Sequence, residues 1–451
     1  MKKRASVLFL AAAMVLAAFS GCSDNGTAST AASTGDTAST ASTADSGEES
    51  QAEENGEVVE LEFWGWWSSE ARKPVITEMV ENYNASQSKY HVTYVDIPWG
   101  DIFTKNIAQI AAGNPCDVMA NSMEEVRFRA SEDQVESLDA YVTDEEKAGF
   151  YEQYIDACTG DDGSLYAIPY SVDTRAIYYN KDQFAEVGID PESIVTWDDL
   201  TEAAYQLDVK DGDTYTRVGF MPLLGNGGVD TYIINANGGD GWYNKETLEP
   251  TVNTDTNKAV LKWIRGVIDH YGQNTYDTLS AAFSSGMTDP FASGTMSMLV
   301  HTSAYTSNLS QTAPDLNYGV IPLPEYTEGN GNTVNGGGFV LEVPKGAKDP
   351  AASYDFIRYA TSYETQDFLA VNIGDFSARS DFGDDAEFFQ NPISQDLAKC
   401  LEGTVTVIIP NEIKGYTDVI NPLIEEGTLG IVDTDTALDN AQKAFEDFLL
   451  G

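Results

Sequence analysis

Residues 64–70 bring together side chains that suit a hydroxyl-rich ring. Three indoles, those of Trp64, Trp66 and Trp67, share this short segment with two serines and Glu70. Aromatic rings bury the apolar faces of a ligand, while carboxylates and hydroxyls satisfy its polar rim. The segment therefore predicts a binding surface rather than a reaction centre. Packing in a hydrophobic core is the alternative for each indole.

A second set of candidates lies in loops further along the chain. Trp99 follows a predicted strand and could act as a stacking platform or as a loop anchor. Two glycine-rich loops carry Asn226 and Trp242, for which ordinary turns are the alternative. His301 has no partner motif and is interpreted as a hydrogen-bond donor. Gly337, within residues 335–338, would let the backbone approach a ligand closely.

The sequence lacks the local motifs of several chemistries. The glycine-rich loops have no Lys followed by Ser or Thr, which argues against nucleotide binding. No GxSxG, HExxH or Cys-x-x-Cys motif is present, and only three histidines occur. We predict no catalytic residue, no metal and no cofactor. Cys116, Cys158 and Cys400 could form one disulfide or remain as free thiols.

The elements that must position these residues are read from hydrophobic periodicity. Val59, Leu61 and Phe63 alternate with acidic residues and predict a strand. Helical spacing follows, and strand and helix patterns then alternate up to residue 120, which predicts parallel strands with helices on both faces. Ligands bind at the carboxyl ends of such strands. Further helices are predicted at 196–207, 255–271 and 435–449.

The N-terminal residues predict export and anchoring. A basic start, Met1 to Arg4, precedes an apolar run to Phe19, so residues 1–21 are predicted to be a signal peptide. Cys22 follows small residues, as in a bacterial lipobox, and is predicted to be lipidated (palmitate). Ordinary cleavage beside an incidental cysteine is the alternative. Residues 22–57 lack large apolar side chains and predict a disordered tether.

The net charge is strongly negative. The chain has 72 acidic and 25 basic residues, giving −47. Such a protein is repelled by nucleic acid and by anionic membrane surfaces, so we predict no nucleic-acid partner and membrane association only through the lipid. The roughly 395 residues after the tether are too many for one hydrophobic core, which predicts two lobes.

One long segment resembles a known family. Residues 165–200 carry Tyr-x-x-Pro, Tyr-Asn-Lys, Gly-Ile and Thr-Trp-Asp-x-Leu in that order. Gly294–Met298, Gly319–Pro324 and the run from Gly336 resemble further blocks of the same family. This pattern resembles the extracellular solute-binding lipoproteins of sugar-importing ABC transporters (solute-binding family 1, maltose-binding-protein-like).

The resemblance implies a fold, a division and a location. The fold is α/β and two-lobed, periplasmic-binding-protein-like, each lobe a mainly parallel sheet flanked by helices, joined by a crossing hinge. The implied division is residues 58–170 plus 296–342 for the N-terminal lobe, and 171–295 plus 343–451 for the C-terminal lobe. The protein would be a monomer on the extracytoplasmic face of the bacterial cell membrane, and its partners would be the transmembrane subunits of the permease.

The resemblance also implies site residues. Asp173 falls where relatives carry an acidic residue that hydrogen-bonds sugar hydroxyls, with a salt bridge to Arg175 as the alternative. Tyr305 is the aromatic nearest to a tryptophan position of the family, about one position out of register. Asn121 and Glu124 follow the third strand, where the family often places ligand-contacting side chains, with a solvated loop as the alternative. Tyr170 is near Asp173, with lining of the hinge as its alternative. Arg379 lies in a loop that resembles one of the family, with pairing near Asp381 as its alternative.

Three functions remain open at this stage. The first is a binding module that captures a neutral mono- or oligosaccharide between two lobes and delivers it to the permease. The second is a secreted glycoside-acting enzyme, which needs two carboxylates across the sugar. The third is the same fold binding a polyol phosphate, a peptide or an anion. Few basic residues occur in the candidate loops, which favours a neutral ligand.

Overall fold

Residues 58–383 and 386–451 are described by a computed structural model. The predicted signal peptide, Cys22 and the tether lie outside the described residues. The strands of the described part are β1 Val59–Gly65, β2 Tyr90–Asp96, β3 Val118–Ser122, β4 Ala167–Val172, β5 Arg175–Asn180, β6 Val209–Asp211, β7 Thr214–Phe220, β8 Met296–Thr302, β9 Tyr318–Pro322, β10 Val334–Gly336, β11 Gly338–Glu342 and β12 Thr404–Thr406.

Helices surround these strands. They are α1 Arg72–Ser86, α2 Trp99–Ala111, α3 Val126–Ser131, α4 Asp144–Ala148, α5 Glu152–Ala157, α6 Lys181–Val187, α7 Trp197–Leu207, α8 Gly228–Ala236, α9 Asp255–Tyr271, α10 Gln273–Ser284, α11 Tyr305–Thr312, α12 Pro350–Ala360, α13 Tyr363–Ile373, α14 Pro392–Leu401, α15 Tyr416–Thr428 and α16 Thr434–Leu450. Short 3-10 helices span Met123–Glu125, Pro191–Ser193, Glu387–Gln390 and Asn411–Ile413.

Local sequence signals set several helix starts. Thr196 caps α7 in a capping box with Asp199, as their spacing predicts. Asp349 caps α12, with Pro350 at the first helical position. The predicted helices at 196–207, 255–271 and 435–449 correspond to α7, α9 and α16 within one residue at each end. These starts follow from side chains that satisfy free backbone N–H groups.

Two five-stranded sheets form the cores of two lobes. The first sheet has the order β2-β1-β3-β11-β4, and the second has the order β6-β7-β8-β5-β9. The two-lobed α/β prediction is confirmed. The first sheet is mainly parallel, because only β11 runs against its other strands. The second sheet is mixed, because β7 and β8 form a parallel pair among antiparallel neighbours.

The strand pairing corrects the predicted division of the chain. Residues 296–342 were assigned to the first lobe, but β8 and β9 both pair with β5 in the second sheet. After residue 343, α12 packs on the first sheet, where the Phe356 and Phe63 rings lie 5.2 Å apart. Which strand pairs with which depends on contacts between distant segments, so local patterns do not reveal it.

The chain crosses between the sheets beside Asp173. Residues 173 and 174 join β4 to β5, and Gly337 joins β10 to β11. The Asp173 N–H donates to the Gly337 carbonyl at 3.1 Å, and the Gly337 N–H donates to Asp173 Oδ1 at 2.9 Å. A Cβ on Gly336 would lie 2.5 Å from the Asp173 carbonyl oxygen. The glycine run is therefore needed for close approach of two hinge segments.

Candidate functional site

The first lobe presents a wall of aromatic rings at one edge of its sheet. Trp66 follows β1, Trp99 follows β2, and Phe339 lies on β11, which runs the opposite way, so all three reach the same edge. The Trp66 ring lies 4.5 Å from Trp99 and 5.0 Å from Phe339, both edge-on. Phe103 on α2 contacts Trp99 at 5.0 Å. We call these four residues the aromatic wall.

Trp99 and the three indoles of residues 64–70 are buried to different extents. Trp99 in the wall is 46% exposed, and Trp66 is half-buried. Trp67 is buried against Tyr170, with ring centroids 5.3 Å apart. Trp64 points to the other face of the sheet, packs near Ile102 and donates its indole N–H to Glu62 Oε2 at 3.0 Å. The predicted ligand role of Trp64, Trp67 and Tyr170 is therefore corrected to core packing.

Asn121 is also a structural residue. It is fully buried and donates from Nδ2 to Glu342 Oε2 at 2.9 Å. Glu342 is in turn paired with Arg129, whose Nε lies 2.8 Å from Oε1. Arg129 also donates to Asn106 Oδ1 at 2.7 Å. A buried charge must be paired in this way, so Asn121 belongs to the interior of the first lobe and not to a ligand surface.

Polar groups of the second lobe gather around Arg175. Arg175 begins β5, Asp230 lies in the first turn of α8, and His301 lies near the end of β8, paired with Ala176. The positive charge of Arg175 acts to lower the pKa of Asp173, of Asp230 and of His301, so the guanidinium is close enough to influence all three groups. The sequence named Asp173 and His301, and the structure brings them together.

Burial opposes that effect at the carboxyls and is the larger influence. Surrounding protein atoms raise the pKa of Asp173 and Asp230, and they raise the pKa of Glu124 at the end of β3. Glu124 and Asp230 nonetheless remain accessible to solvent. Side chains that are accessible to solvent but surrounded by protein on several sides are typical of a cleft. Raised carboxyl pKa values of this kind cluster at functional sites.

His301 is held neutral and oriented. Burial, followed by the charge of Arg175, lowers the pKa of His301 to about 3. Its ring stacks on Tyr305, with centroids 4.1 Å apart, and Nδ1 accepts the Thr302 N–H at 2.9 Å. The proton of the neutral ring is therefore on Nε2, so this nitrogen is available to donate a hydrogen bond. Tyr305 itself is buried and donates to Asp289, so its predicted ligand contact is corrected to support of His301.

Three other predicted residues form hydrogen bonds that hold the polar groups of the site in place. Trp242 is 2% exposed and donates its indole N–H to Asp230 Oδ1 at 2.7 Å, so it orients that carboxylate. Gly337 binds the Asp173 side chain through its N–H. Asn226 is exposed, and its carbonyl accepts from Arg175 Nε at 3.0 Å. Only Asn226 of these three has a side chain open to solvent.

Two predicted residues lie apart from this group. Arg379 forms a bidentate ion pair with Asp381, at 2.7 and 2.6 Å, and donates to the Thr361 carbonyl at 3.0 Å. It lines a separate cavity of about 770 Å³ with Tyr151 and Phe376. Glu70 is exposed beside the start of α1, in an outer groove. The pairing alternative thus holds for Arg379.

Some members of the site carry little signal in the sequence. Glu124 and Asp230 lie in segments that the sequence marks as candidate ligand loops, but no local motif singles them out. Arg175 is predicted only as a partner of Asp173 and as one of few cations in the candidate loops. What could have drawn attention to Arg175 is the scarcity of basic residues, 25 in the whole chain.

The described residues also bear on the state of the cysteines, on metal binding and on membrane spans. Cys116, Cys158 and Cys400 are buried free thiols, which decides between the two cysteine states. No group of His, Cys, Asp or Glu that could hold a metal ion occurs within 58–383 and 386–451. Over the same ranges no helix has the length and apolar character needed to cross a bilayer.

Curated relatives match at low identity. A binding protein of Brucella abortus is 24% identical over 261 residues, and the match covers 56% of this chain and 60% of that protein. An uncharacterized ABC transporter extracellular-binding protein of Pyrococcus horikoshii is 26% identical, with 81% of each chain covered. The sn-glycerol-3-phosphate-binding periplasmic protein UgpB of Brucella melitensis is 25% identical, covering 84% of this chain and 91% of its own length.

Solved structures share the fold. CpMnBP1 with mannotriose bound has a TM-score of 0.76 at 22% identity, covering 86% of this chain and all of that chain. The GacH receptor of Streptomyces glaucescens has a TM-score of 0.74 at 22% identity, covering 88% and 99%. The sequence also matches the family described as bacterial extracellular solute-binding protein over residues 67–367. The chain therefore belongs to the bacterial extracellular solute-binding protein family.

Proposed function

We propose that this chain is the substrate-binding lipoprotein of a carbohydrate ABC importer, which captures a neutral sugar or oligosaccharide between its lobes. The observation that carries the proposal is the chemistry of the two cleft faces. The first lobe carries the aromatic wall at the carboxyl edge of its sheet, and the second lobe carries carboxylates and a neutral histidine near Arg175. Rings that cover apolar C–H faces, with acceptors and donors for hydroxyls, match a sugar.

The cations near the cleft support a neutral ligand. Arg175 donates to the carbonyls of Asn226 and Asn335, at 3.0 and 2.5 Å. Lys414 is paired with Glu125. An anionic ligand would compete with these partners and would have to approach a protein of net charge −47. Carboxylates, by contrast, can accept from two neighbouring hydroxyls.

The rings of the wall lie close together. Trp66 is 4.5 Å from Trp99 and 5.0 Å from Phe339, and the Trp99 and Phe339 centroids are 6.1 Å apart. The wall would therefore stack against one ring of a saccharide, and further rings of an oligosaccharide would contact other parts of the cleft. The solved neighbours named with bound ligands include one with mannotriose and one with maltotetraose.

Location and partners are part of the same proposal. Residues 1–21 would direct export, and a lipid on Cys22 would hold the protein at the extracytoplasmic face of the cell membrane, with residues 22–57 as the tether. The closed protein would act as a monomer that docks on the transmembrane subunits of the permease. The family consists of binding proteins, and the proposed role includes no catalysis.

The second candidate is a phosphorylated polyol, because UgpB of Brucella melitensis is named for sn-glycerol 3-phosphate. Calorimetric titration of the protein with neutral mono- and oligosaccharides and with sn-glycerol 3-phosphate separates the two. We expect binding of a neutral oligosaccharide, recovery of that saccharide uncleaved, and no heat from the phosphate. Tighter binding of the phosphate, or cleavage of the saccharide, would contradict the proposal.

A further inference from the structure

Residues 407–415 run from the hinge to the second lobe and contact the first lobe on the way. We call this segment the strap. It follows β12 and ends one residue before Tyr416, where α15 begins. The Tyr416 ring stacks on Phe445 of α16 at 4.5 Å, and the Ile408 carbonyl accepts from the Tyr243 hydroxyl at 3.4 Å. Both ends of the strap are therefore attached to the second lobe.

The C-terminal half of the strap contacts residues of the first lobe. Lys414 Nζ lies 2.5 Å from Glu125 Oε1 and 4.7 Å from the centroid of the Phe128 ring. Three residues earlier, Asn411 Nδ2 donates to Asp161 Oδ2 at 3.4 Å. Glu125 and Phe128 follow the carboxyl end of β3, the sheet edge that carries the aromatic wall. We call Lys414, Glu125 and Phe128 the clasp.

The clasp joins parts of an acidic protein that would otherwise repel each other. Glu124 and Glu125 are neighbours at this edge, and the charge of Glu125 raises the pKa of Glu124, whereas Lys414 lowers it; both effects are smaller than that of burial. The clasp side chains Lys414 and Glu125 are 25% and 34% exposed, so water screens their attraction only in part. The aromatic ring adds a further favourable contact for the cation.

Rotation about the hinge must alter the clasp. The hinge contacts join Asp173 to Gly337, and Thr174 Oγ1 to Thr404 Oγ1 at 2.6 Å. These pairs lie on the crossing segments themselves and survive a rotation. Lys414 and Glu125 lie in different lobes on the ligand-facing edge, so opening of the cleft separates them. The clasp is thus a contact of the arrangement seen here.

We propose that Lys414 is a positioning residue that favours the closed arrangement of the lobes before ligand binds. The apparent affinity of a two-state protein is its intrinsic affinity reduced by the fraction in the competent form. Loss of the clasp therefore lowers affinity without removal of any ligand contact. The affinity readout rests on the proposed function, whereas the shape of the ligand-free protein does not.

Small-angle X-ray scattering of the ligand-free protein tests the clasp directly. We expect Lys414→Met to increase the radius of gyration and Lys414→Arg to retain the wild-type value. Lys399→Met is the matched control, because Lys399 is 68% exposed and pairs with Asp396 on its own helix. An unchanged radius in Lys414→Met, with cooperative thermal unfolding retained, would overturn the proposal.

Calorimetric titration with the best-bound saccharide gives the second readout. We expect Lys414→Met and Glu125→Gln each to weaken binding about three- to tenfold, and the double variant to weaken it no further than either single variant. Equal affinity of all variants would overturn the link between clasp and binding. If no saccharide binds the wild type, the proposed function fails, while the scattering result still decides on the clasp.

Discussion

The two lobes offer different chemistry to the cleft between them. The first lobe contributes the aromatic wall, and its charged residues Arg129 and Glu342 are buried beneath the sheet surface, paired with each other. The second lobe contributes Arg175, Asp230 and His301. Under the proposed function, the first lobe would cover apolar faces of a ligand and the second would make directional hydrogen bonds.

This difference predicts that binding requires closure of the lobes. Stacking on the wall alone would be non-directional and would accept any apolar face. Hydrogen bonds from the second lobe would fix orientation, but each would exchange a bond to water for a bond to ligand and contribute little net energy alone. Under the proposed function, affinity and specificity would therefore come from different lobes.

The largest expected effect tests whether the charges of the first lobe are structural. Arg129→Met leaves Glu342 buried without its cation, so we expect the free energy of unfolding to fall by about 3–5 kcal/mol. Urea denaturation at neutral pH measures it. A variant that unfolds like the wild type but binds ligand poorly would place this ion pair in the site instead.

The next effect tests the wall. Trp99 is 46% exposed, so Trp99→Ala should cost little stability but about 2 kcal/mol of binding energy for the preferred saccharide. Trp64→Phe is the control, because Trp64 is buried in a core cluster with Ile102 and Met119, and its affinity should match the wild type. Calorimetry gives the affinities. Equal losses in the two variants would contradict the assignment of the wall.

The third effect concerns the neutral histidine of the second lobe. His301 has a folded-state pKa of about 3, below its usual value near 6.5, so the unfolded chain binds the proton first as the pH falls. Stability from this group is complete above pH 6.5 and declines toward pH 3.

Between pH 6.5 and 5 the wild type should therefore lose up to about 2 kcal/mol more than His301→Gln. Chemical denaturation of both proteins across that range measures the difference. Parallel pH profiles would mean that the histidine takes up its proton in the folded protein as readily as in the unfolded chain.

Local signals in the sequence predicted much of the secondary structure. The capping box of Thr196 and Asp199 and the Asp349–Pro350 start depend on residues within one helical turn, so both were readable. The hinge position of Asp173 followed from the resemblance. The environments of Trp64 and Trp67 are not readable from local spacing. Trp64 lies within β1, where strand pairing and the helices on each face set its surroundings, and Trp67 depends on the course of the chain after β1.

The polar side of the cleft was the harder part to predict. Arg175, Asp230 and His301 belong to three separate elements, and only strand pairing brings them together. The assignment of β8 and β9 to the wrong lobe has the same cause. Residues at the ends of paired strands become neighbours through the order of strands in the sheet, and that order is not written in any one segment.

The sequence by itself determined the family, the alternation of strands and helices, the acidic character and the supply of indoles. These depend on residue type and short spacing, which any single segment carries. Only the tertiary structure decided that Trp66 and Trp99 stay accessible at the sheet edge while Trp64 and Trp67 are buried, and that Lys414 meets Glu125. Such choices depend on contacts between segments far apart in the chain, where packing and the pairing of buried charges select one arrangement.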